Sequence, residues 1–524
     1  MQRRDLLAGL GRGAAALALS ALFTRDAGSG DERAAALSSQ DDPFTLGVAS
    51  GMPRQDSVVL WTRLAPRPQE PLGGLPDAPI RVQWELAEDE RFSIGLRRGD
   101  VLARPEHAHS VHAEVTGLPS GREFFYRFLA GDAASPIGRT RTAPSADAPV
   151  DRLRIALASC QHYEQGAFRL QREIAERDLD FVLFVGDYLY ESSNARYRVR
   201  AHEGPAPTTL DGYRQRHATY KLDPSLRAAH AAHPWVLTWD DHEVENDYAN
   251  DASHRPGVDA RAFLQQRAAA YKAYFEHMPV SPAMRPDGAA MRLHEHFSWG
   301  QLADLWTLDN RQYRSVQACN PPGQAGGRML LDCERLGDAE ASMFGAAQER
   351  WIEAELAGSR RQWRLLAQGT QIAPGGIETT LGRSLYSDGW DGYPKARARL
   401  MEAIAAQPQG DVVCLGGDMH RHVAARLRAD PLDPHSPVVA SEFVCSSLTS
   451  RGVSEAANAL IQGSNPDLLH VRGDERGYML LELTPERLAC EMRATAFPVQ
   501  AEARVHTQAR YVVERGRAGP ERDG

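Results

Sequence analysis

The sequence predicts an α/β protein carrying a separate all-β region at its N-terminal side, and three observations predict it. Several short strands separated by turn signals fill the stretch from Pro43 to about Pro144, the spacing of a β-sandwich. From about Asp151 apolar strands alternate with helical segments, the pattern of a largely parallel sheet. Four of those apolar strands run at their C-terminal ends into clusters of carboxylate, imidazole or thiol side chains, which is where α/β proteins bind ligands.

At 524 residues the chain exceeds one ordinary core, and length alone suggests two to four domains. The expected division is a signal and linker over 1–42, a β-sandwich over 43–145, the main α/β domain over 150–497, and a C-terminal extension over 498–524 whose charged Gly/Pro tail should fray. The apolar fraction of 42% and charged fraction of 25% are those of a globular protein. A net charge of −9 argues against general nucleic-acid binding, so a site for an anionic substrate must draw its positive charge locally, from metals or a few arginines.

Arg3-Arg4 followed by Asp5-Leu6-Leu7 and a small-residue and leucine run to Phe23 resembles a twin-arginine signal, which makes the twin-arginine export machinery an expected partner. Residues 26–42 read as linker. No other apolar run is long enough to span a bilayer, so the mature chain is expected in the periplasm or secreted. Cys319 and Cys333 flank a Pro/Gly-rich loop and could pair in an oxidising compartment, whereas Cys414 and Cys445 lie in apolar runs as small hydrophobes.

Within the N-terminal region strands are predicted at 57–64, 80–86, 111–115 and 123–129; the last, aromatic and preceded by Gly117-Leu118-Pro119-Ser120-Gly121, is similar to the late strands of fibronectin-type domains. Beyond it strands are predicted at 153–160, 181–185, 235–239, 363–366 and 412–415, and helices at 167–177, 258–277 and 345–357.

The strand ends carry the chemistry. In Gly186-Asp187-Tyr188-Leu189-Tyr190-Glu191 the Asp187 carboxylate can bridge two cations and Tyr190 can offer a phenolate to a hard trivalent metal; a helix cap beside a core tyrosine fits equally well. Trp239 to Asp247 holds five carboxylates and His242. Directly after a buried strand such a run is costly without cations. In Gly416-Gly417-Asp418-Met419-His420-Arg421-His422, Asp418 and His420 at i and i+2 on an extended segment point the same way, while His422 reads as supporting or exposed. Cys160, at the end of its strand, stands where a thiolate ligand to iron or zinc would sit.

Taken in order, these clusters resemble the PhoD-like (alkaline phosphatase D) family. So do Pro43 to Gly51, Val59-Leu60-Trp61-Thr62-Arg63, Leu308 to Ser315 and Asp388 to Pro394, and the resemblance covers about 43–495. It implies a β-sandwich followed by a four-layer αββα metallophosphoesterase domain, with iron (Fe3+) and calcium (Ca2+) as cofactors. By position, Cys160, Asp187, Tyr190 and His420 correspond to the iron set. Asp187, Asp241 and Asp418 correspond to the calcium set, with Asp240 an alternative to Asp241 and Asn246 a further candidate. Gln371 falls near another ligand position, and His242 corresponds to the family's phosphate-facing histidine.

The expected activity is hydrolysis of phosphate esters by a metal-held hydroxide, with His242 protonating the leaving alkoxide or stabilising transferred charge. Arg311 and Arg314 are candidates for a phosphate clamp, with structural ion pairing the slightly favoured alternative. Two other readings share these motifs: a phosphodiesterase or phospholipase D-type hydrolase, and a non-enzymatic calcium- and phosphate-binding protein.

Overall fold

The structure is a computed structural model that describes residues 42–407 and 411–524; the expected twin-arginine signal lies outside the described residues. Eight strands come first: β1 (Val48–Gly51), β2 (Ser57–Arg63), β3 (Ile80–Ala87), β4 (Arg97–Ala103), β5 (Ser110–Thr116), β6 (Glu123–Ala130), β7 (Ala133–Ala134) and β8 (Gly138–Arg141). β4, β3, β6 and β7 form one antiparallel sheet, with β8 also paired to β6. Alternation along β6, where Phe124, Tyr126, Phe128 and Ala130 are buried and Glu123 is exposed, turns one face toward Val58 and Leu60 of β2 and Val111, Ala113 and Val115 of β5 in a shared apolar cluster.

The region is less separate than the sequence suggests. β1, β2 and β5 complete a ten-stranded sheet whose centre is β9 (Leu153–Ala158), β10 (Phe181–Val185) and β11 (Pro234–Thr238). Ser50 and Gly51 of β1 pair in parallel with Pro234 and Trp235 of β11. The central strands carry the continuous apolar runs expected of parallel strands buried on both faces.

A second sheet of seven strands contains β12 (Glu295–Trp299), β13 (Ala303–Thr307), β15 (Trp363–Ala367), β18 (Val412–Gly416), β19 (His422–Arg428), β20 (Val438–Val444) and β21 (Leu468–Arg472). The intervening β14 (Met329–Leu330), β16 (Ile377–Thr379) and β17 (Gly382–Tyr386) make a small sheet of their own. β13, β15, β18 and β20 run parallel. Leu365, Ala367, Val413 and Leu415 join Leu157, Leu183 and Val185 of the first sheet in one core. Their neighbours Leu366, Val412 and Cys414 turn instead toward α5 (Gly345–Gly358) and α6 (Pro394–Ala405). Period-two alternation thus sorts each strand between two apolar layers.

The remaining strands, β22 (Glu475–Leu483), β23 (Arg487–Ala496), β24 (His506–Glu514) and β25 (Glu521–Arg522), extend the ten-stranded sheet from β9. This corrects the expected frayed tail. β24 pairs with β23 from His506 to Glu514, and Tyr511 and Val513 are buried. Cys319 and Cys333 form a disulfide. Several helices start at side-chain caps, as at Asp223 before Pro224 and Asp259 before Ala260. Among the described residues no helix is long and apolar enough to cross a membrane.

Candidate metal centre

The ends of β9, β10 and β11 in one sheet and of β13, β15 and β18 in the other deliver their next residues to one place. The joins are made by backbone: Cys160 N–H donates to Gly186 O at 3.1 Å, Gln161 N–H to Asp187 O at 3.0 Å, and Gly417 N–H to Gly369 O at 3.0 Å. Cys160, Asp187, Asp418 and His420 all hold φ between 51° and 61°, a region costly for residues with a β-carbon and one that gathers at functional sites. Gly186 has φ 102°, and a β-carbon there would lie 2.5 Å from both Asp240 N and Asp240 Cβ. Gly186→Ala is therefore expected to cost about 2 kcal/mol or more and to push Asp240 out of place, read as a lower denaturant midpoint together with lower activity.

Asp187 is the hub. Its carboxylate groups within 4.8 Å with Cys160 and His420, with Asp241 and His242, and with Asp240 and Asp418. Tyr190 Oη donates to Asp187 Oδ2 at 2.9 Å and lies 2.9 Å from His420 Nε2. His420 Nδ1 is 2.7 Å from Arg451 O, so it carries the ring proton and Nε2 is left as an acceptor. One phenolic proton thus faces two acceptors. His242 Nδ1 is 2.6 Å from Glu191 Oε2, and its ring stacks 4.0 Å from that of Tyr190.

Too many carboxylates are buried here for the cations on hand. Asp187, Asp240, Asp241 and Glu243 are each at most 3% exposed and Asp418 is half-buried, against the guanidinium of Arg311 and the ring of His242. Burial first, then the neighbouring aspartates, pushes Asp187 and Asp418 far above the ordinary carboxylate range. Burial also raises Asp240 despite Arg311. Asp241 behaves oppositely: although burial opposes it, Arg311 and then His242 hold it ionised and well below the usual value. Burial opposes protonation of His242, but Glu191, then Asp241 and Asp187, raise it well above that of a free imidazole. Asp241 Oδ1 is buried without a hydrogen-bond partner. An orphaned carboxylate oxygen, a shortage of protons and an excess of buried anions are what a cation site leaves when its ions are not counted. The donor set fits two kinds of ion: thiol, phenol and imidazole on one side suit iron, and carboxylates on the other suit calcium.

Other expected residues take supporting places. Arg311 and Arg314 are buried and already paired with carboxylates, as in the structural alternative favoured over a phosphate clamp. Arg311 Nε reaches Asp240 Oδ1 at 2.6 Å and Nη1 reaches Asp388 Oδ2 at 2.9 Å. Arg314 meets Asp388 at 3.3 Å and Tyr393 Oη at 3.0 Å. Asn246 gives its backbone N–H to Glu191 at 3.0 Å, and its side chain makes no hydrogen bond among the described residues. Gln371 donates to Ala373 O at 2.9 Å and accepts from Arg421 at 3.0 Å. His422 is fully buried rather than exposed, and both ring nitrogens meet backbone, from Ser446 N–H and at Arg493 O.

Sequence reasoning passed over several contributors. Asp247 and Asp388 group with Asp241 within 4.8 Å. Thr370 Oγ1 donates to Asp418 Oδ2 at 2.8 Å, and Asn310 Nδ2 to Asp240 Oδ1 at 3.3 Å. Glu243 accepts from the N–H groups of Asp187, Tyr188 and Asp240 at 2.7–3.1 Å, which locks the ends of β10 and β11 together. Asp388 and Asn310 sat inside segments carrying the family resemblance, the one signal that could have found them. A cleft of 590 Å³ opens beside the centre, lined by Tyr190, Asp418 and His420 among others.

Strand-end carboxylates, imidazoles, a thiol and a phenol gathered between two packed sheets define a class of α/β protein whose strand ends could bind metal. Within that class, residues 155–492 match the family described as PhoD-like phosphatase, and 30–144 match its N-terminal domain. The chain is 40% identical over 525 aligned residues to alkaline phosphatase D of Bacillus subtilis (strain 168), covering 99% of this chain and 88% of that protein. A solved structure described as the structure of PhoD superposes with a TM-score of 0.88 at 39% identity, covering 93% of this chain and 94% of that one. The chain belongs to the PhoD-like phosphatase family.

Proposed function

We propose that this protein is an exported alkaline phosphatase, a metal-dependent hydrolase of phosphate esters. One observation carries the reading: Cys160, Asp187, Tyr190, Asp241, Asp418 and His420 converge at one cleft in a chain 40% identical to an alkaline phosphatase D. We read the N-terminal strands as an immunoglobulin-like sandwich over 43–145 and the rest as an αββα metallophosphoesterase domain, placed at 150–497 from the sequence and continued by β24 and β25 of the same sheet. The two packed sheets with helices outside them support that layering. Export by the twin-arginine route rests on Arg3-Arg4 and the leucine run after it.

Cys160, Asp187, Tyr190 and His420 would hold iron, and Asp187, Asp241 and Asp418 calcium, with Asp240 beside them; the free Oδ1 of Asp241 favours it over Asp240, whose oxygens already accept from Arg311. When bound, such a pair activates water and neutralises charge on the phosphoryl group. The chain's own residues do the rest. Glu191 fixes His242 by its Nδ1, leaving Nε2 to pass a proton to the departing alkoxide. Arg311 and Asn310 hold the Asp240 carboxylate in one orientation, and Thr370 does the same for Asp418. The room in the 590 Å³ cleft favours a second reading, hydrolysis of diesters, since a second substituent has somewhere to lie.

The test is phosphate release from an aryl phosphate before and after exhaustive chelation. Activity should vanish on chelation and return when iron and calcium are restored together. Undiminished turnover by metal-free protein would contradict the proposal.

A further inference from the structure

A buried cation without a counter-ion lines the cleft. Arg421 follows His420, yet the two side chains diverge: His420 Nε2 meets Tyr190 Oη at 2.9 Å, whereas Arg421 Nη2 donates to Gln371 Oε1 at 3.0 Å and Nη1 to Asn458 Oδ1 at 3.4 Å. Both partners are neutral amides. Arg421 Nε has no partner, the residue is 4% exposed, and among the described residues no carboxylate forms an ion pair with it.

Four acids act on it from a distance, Asp418 most strongly, then Asp391, Glu442 and Glu455, and each is engaged by other donors: Asp418 accepts from Thr370 Oγ1 at 2.8 Å, and Glu442 from the N–H groups of Ile372 and Ala373 at 2.5 and 2.9 Å. Asp391 pairs with Arg397 at 2.6 Å and accepts from Gly375 N–H at 2.8 Å. Glu455 accepts from Asn458 Nδ2 at 2.7 Å and Gly473 N–H at 2.9 Å. Other buried arginines near the centre are compensated: Arg311 and Arg314 by aspartates, and Arg216 by the carbonyls of Tyr190, Glu191 and Pro205. Arg421 has only two amide oxygens, one of them at 3.4 Å, no direct ion pair among the described residues, and open volume before it shared with Asp418 and Tyr190. A buried guanidinium left this way is costly unless an anion joins it, and its fork geometry suits phosphate and carboxylate.

We propose that Arg421, held by Gln371 and Asn458, is a subsite for a second anionic group, phosphate or carboxylate, on the alcohol part of the ester whose reacting phosphoryl group sits at Asp187 and Asp418. This rests on the phosphate-ester reading above. Arg421 diverges from His420 toward Gln371 and the helix of residues 455–464, so its charge stands beside Asp418 on a side of the cleft separate from the Tyr190–His420 contact, where the alcohol part of an ester can reach it.

The test compares kcat/KM for butyl phosphate, butanediol bisphosphate and phosphorylated hydroxybutyrate, which share one reacting group. The wild type should prefer the doubly anionic esters by about tenfold or more, mainly through KM, the scale of one charge-assisted hydrogen-bonded contact. Arg421→Met and Arg421→Gln should bring that ratio close to unity, and Arg421→Lys should retain part of it. Preference for one of the two doubly anionic esters alone supports the subsite and names its group. Absence of any preference in the wild type overturns the proposal whether or not a variant folds, and so does a preference that survives Arg421→Met. Failure of the wild type to hydrolyse any of the three monoesters, or their methyl diesters, would instead overturn the phosphate-ester reading itself.

Discussion

Asp187→Asn is expected to lower kcat/KM by about a thousandfold or more and to release metal at the same time. Asp187 alone belongs to three of the ligand groups, so it is the side chain both ions would share. Asparagine has one acceptor oxygen and no charge, which removes the bridge without removing bulk. Folding should survive. Asparagine tolerates the positive φ of 57° found there, and the backbone N–H can still donate to Glu243. Loss of the bound ions should lower the melting temperature toward that of chelated wild type, and no further. Activity, elemental composition and melting temperature measured on one preparation check this, and wild-type rates with a full metal complement would remove Asp187 from the centre.

His242→Asn is expected to lower kcat by about a hundredfold to ten-thousandfold, the range for loss of a positioned proton donor, while most of the metal stays bound. The two effects separate by leaving group. A nitrophenolate departs without a proton, so its ester should lose far less rate than an alkyl phosphate. The ring is held by Glu191 at 2.6 Å and by its contact with Tyr190, so Glu191→Gln should give a smaller loss with the same leaving-group pattern. An equal loss for aryl and alkyl esters would assign His242 to binding the phosphoryl group instead of moving a proton.

The legible parts of this chain were those where one physical signal acted alone. β9, β10, β11 and β18 are apolar apart from Arg154 and Thr238 because both faces are covered, and the polar runs after them stand out by contrast. β4 carries Arg97, Arg98 and Asp100 at partly exposed positions at a sheet edge, so it lacked an apolar pattern. α2 (Leu210–Lys221) buries Arg216, His217 and Lys221, and tertiary packing there overrides any amphipathic stripe. Pairing partners lie beyond local pattern altogether: nothing in β1, β2 or β5 announces that they extend the central sheet, and nothing in 498–524 announces β24.

The candidate centre divides in the same way. Residues directly after buried strands were visible, whereas Thr370 and Asp388 arrive from loops whose local sequence carries no cluster. Arg311 and Arg314 showed the right chemistry for phosphate, but only the packed structure reveals that Asp240 and Asp388 already occupy them.

The most direct measurement is elemental analysis of the purified, active protein together with its visible spectrum. Side chains from separate strand ends holding two kinds of cation predict iron and calcium in stoichiometric amounts, and a coloured protein from phenolate bound to ferric iron at Tyr190. A colourless preparation free of both metals and still fully active would contradict the account.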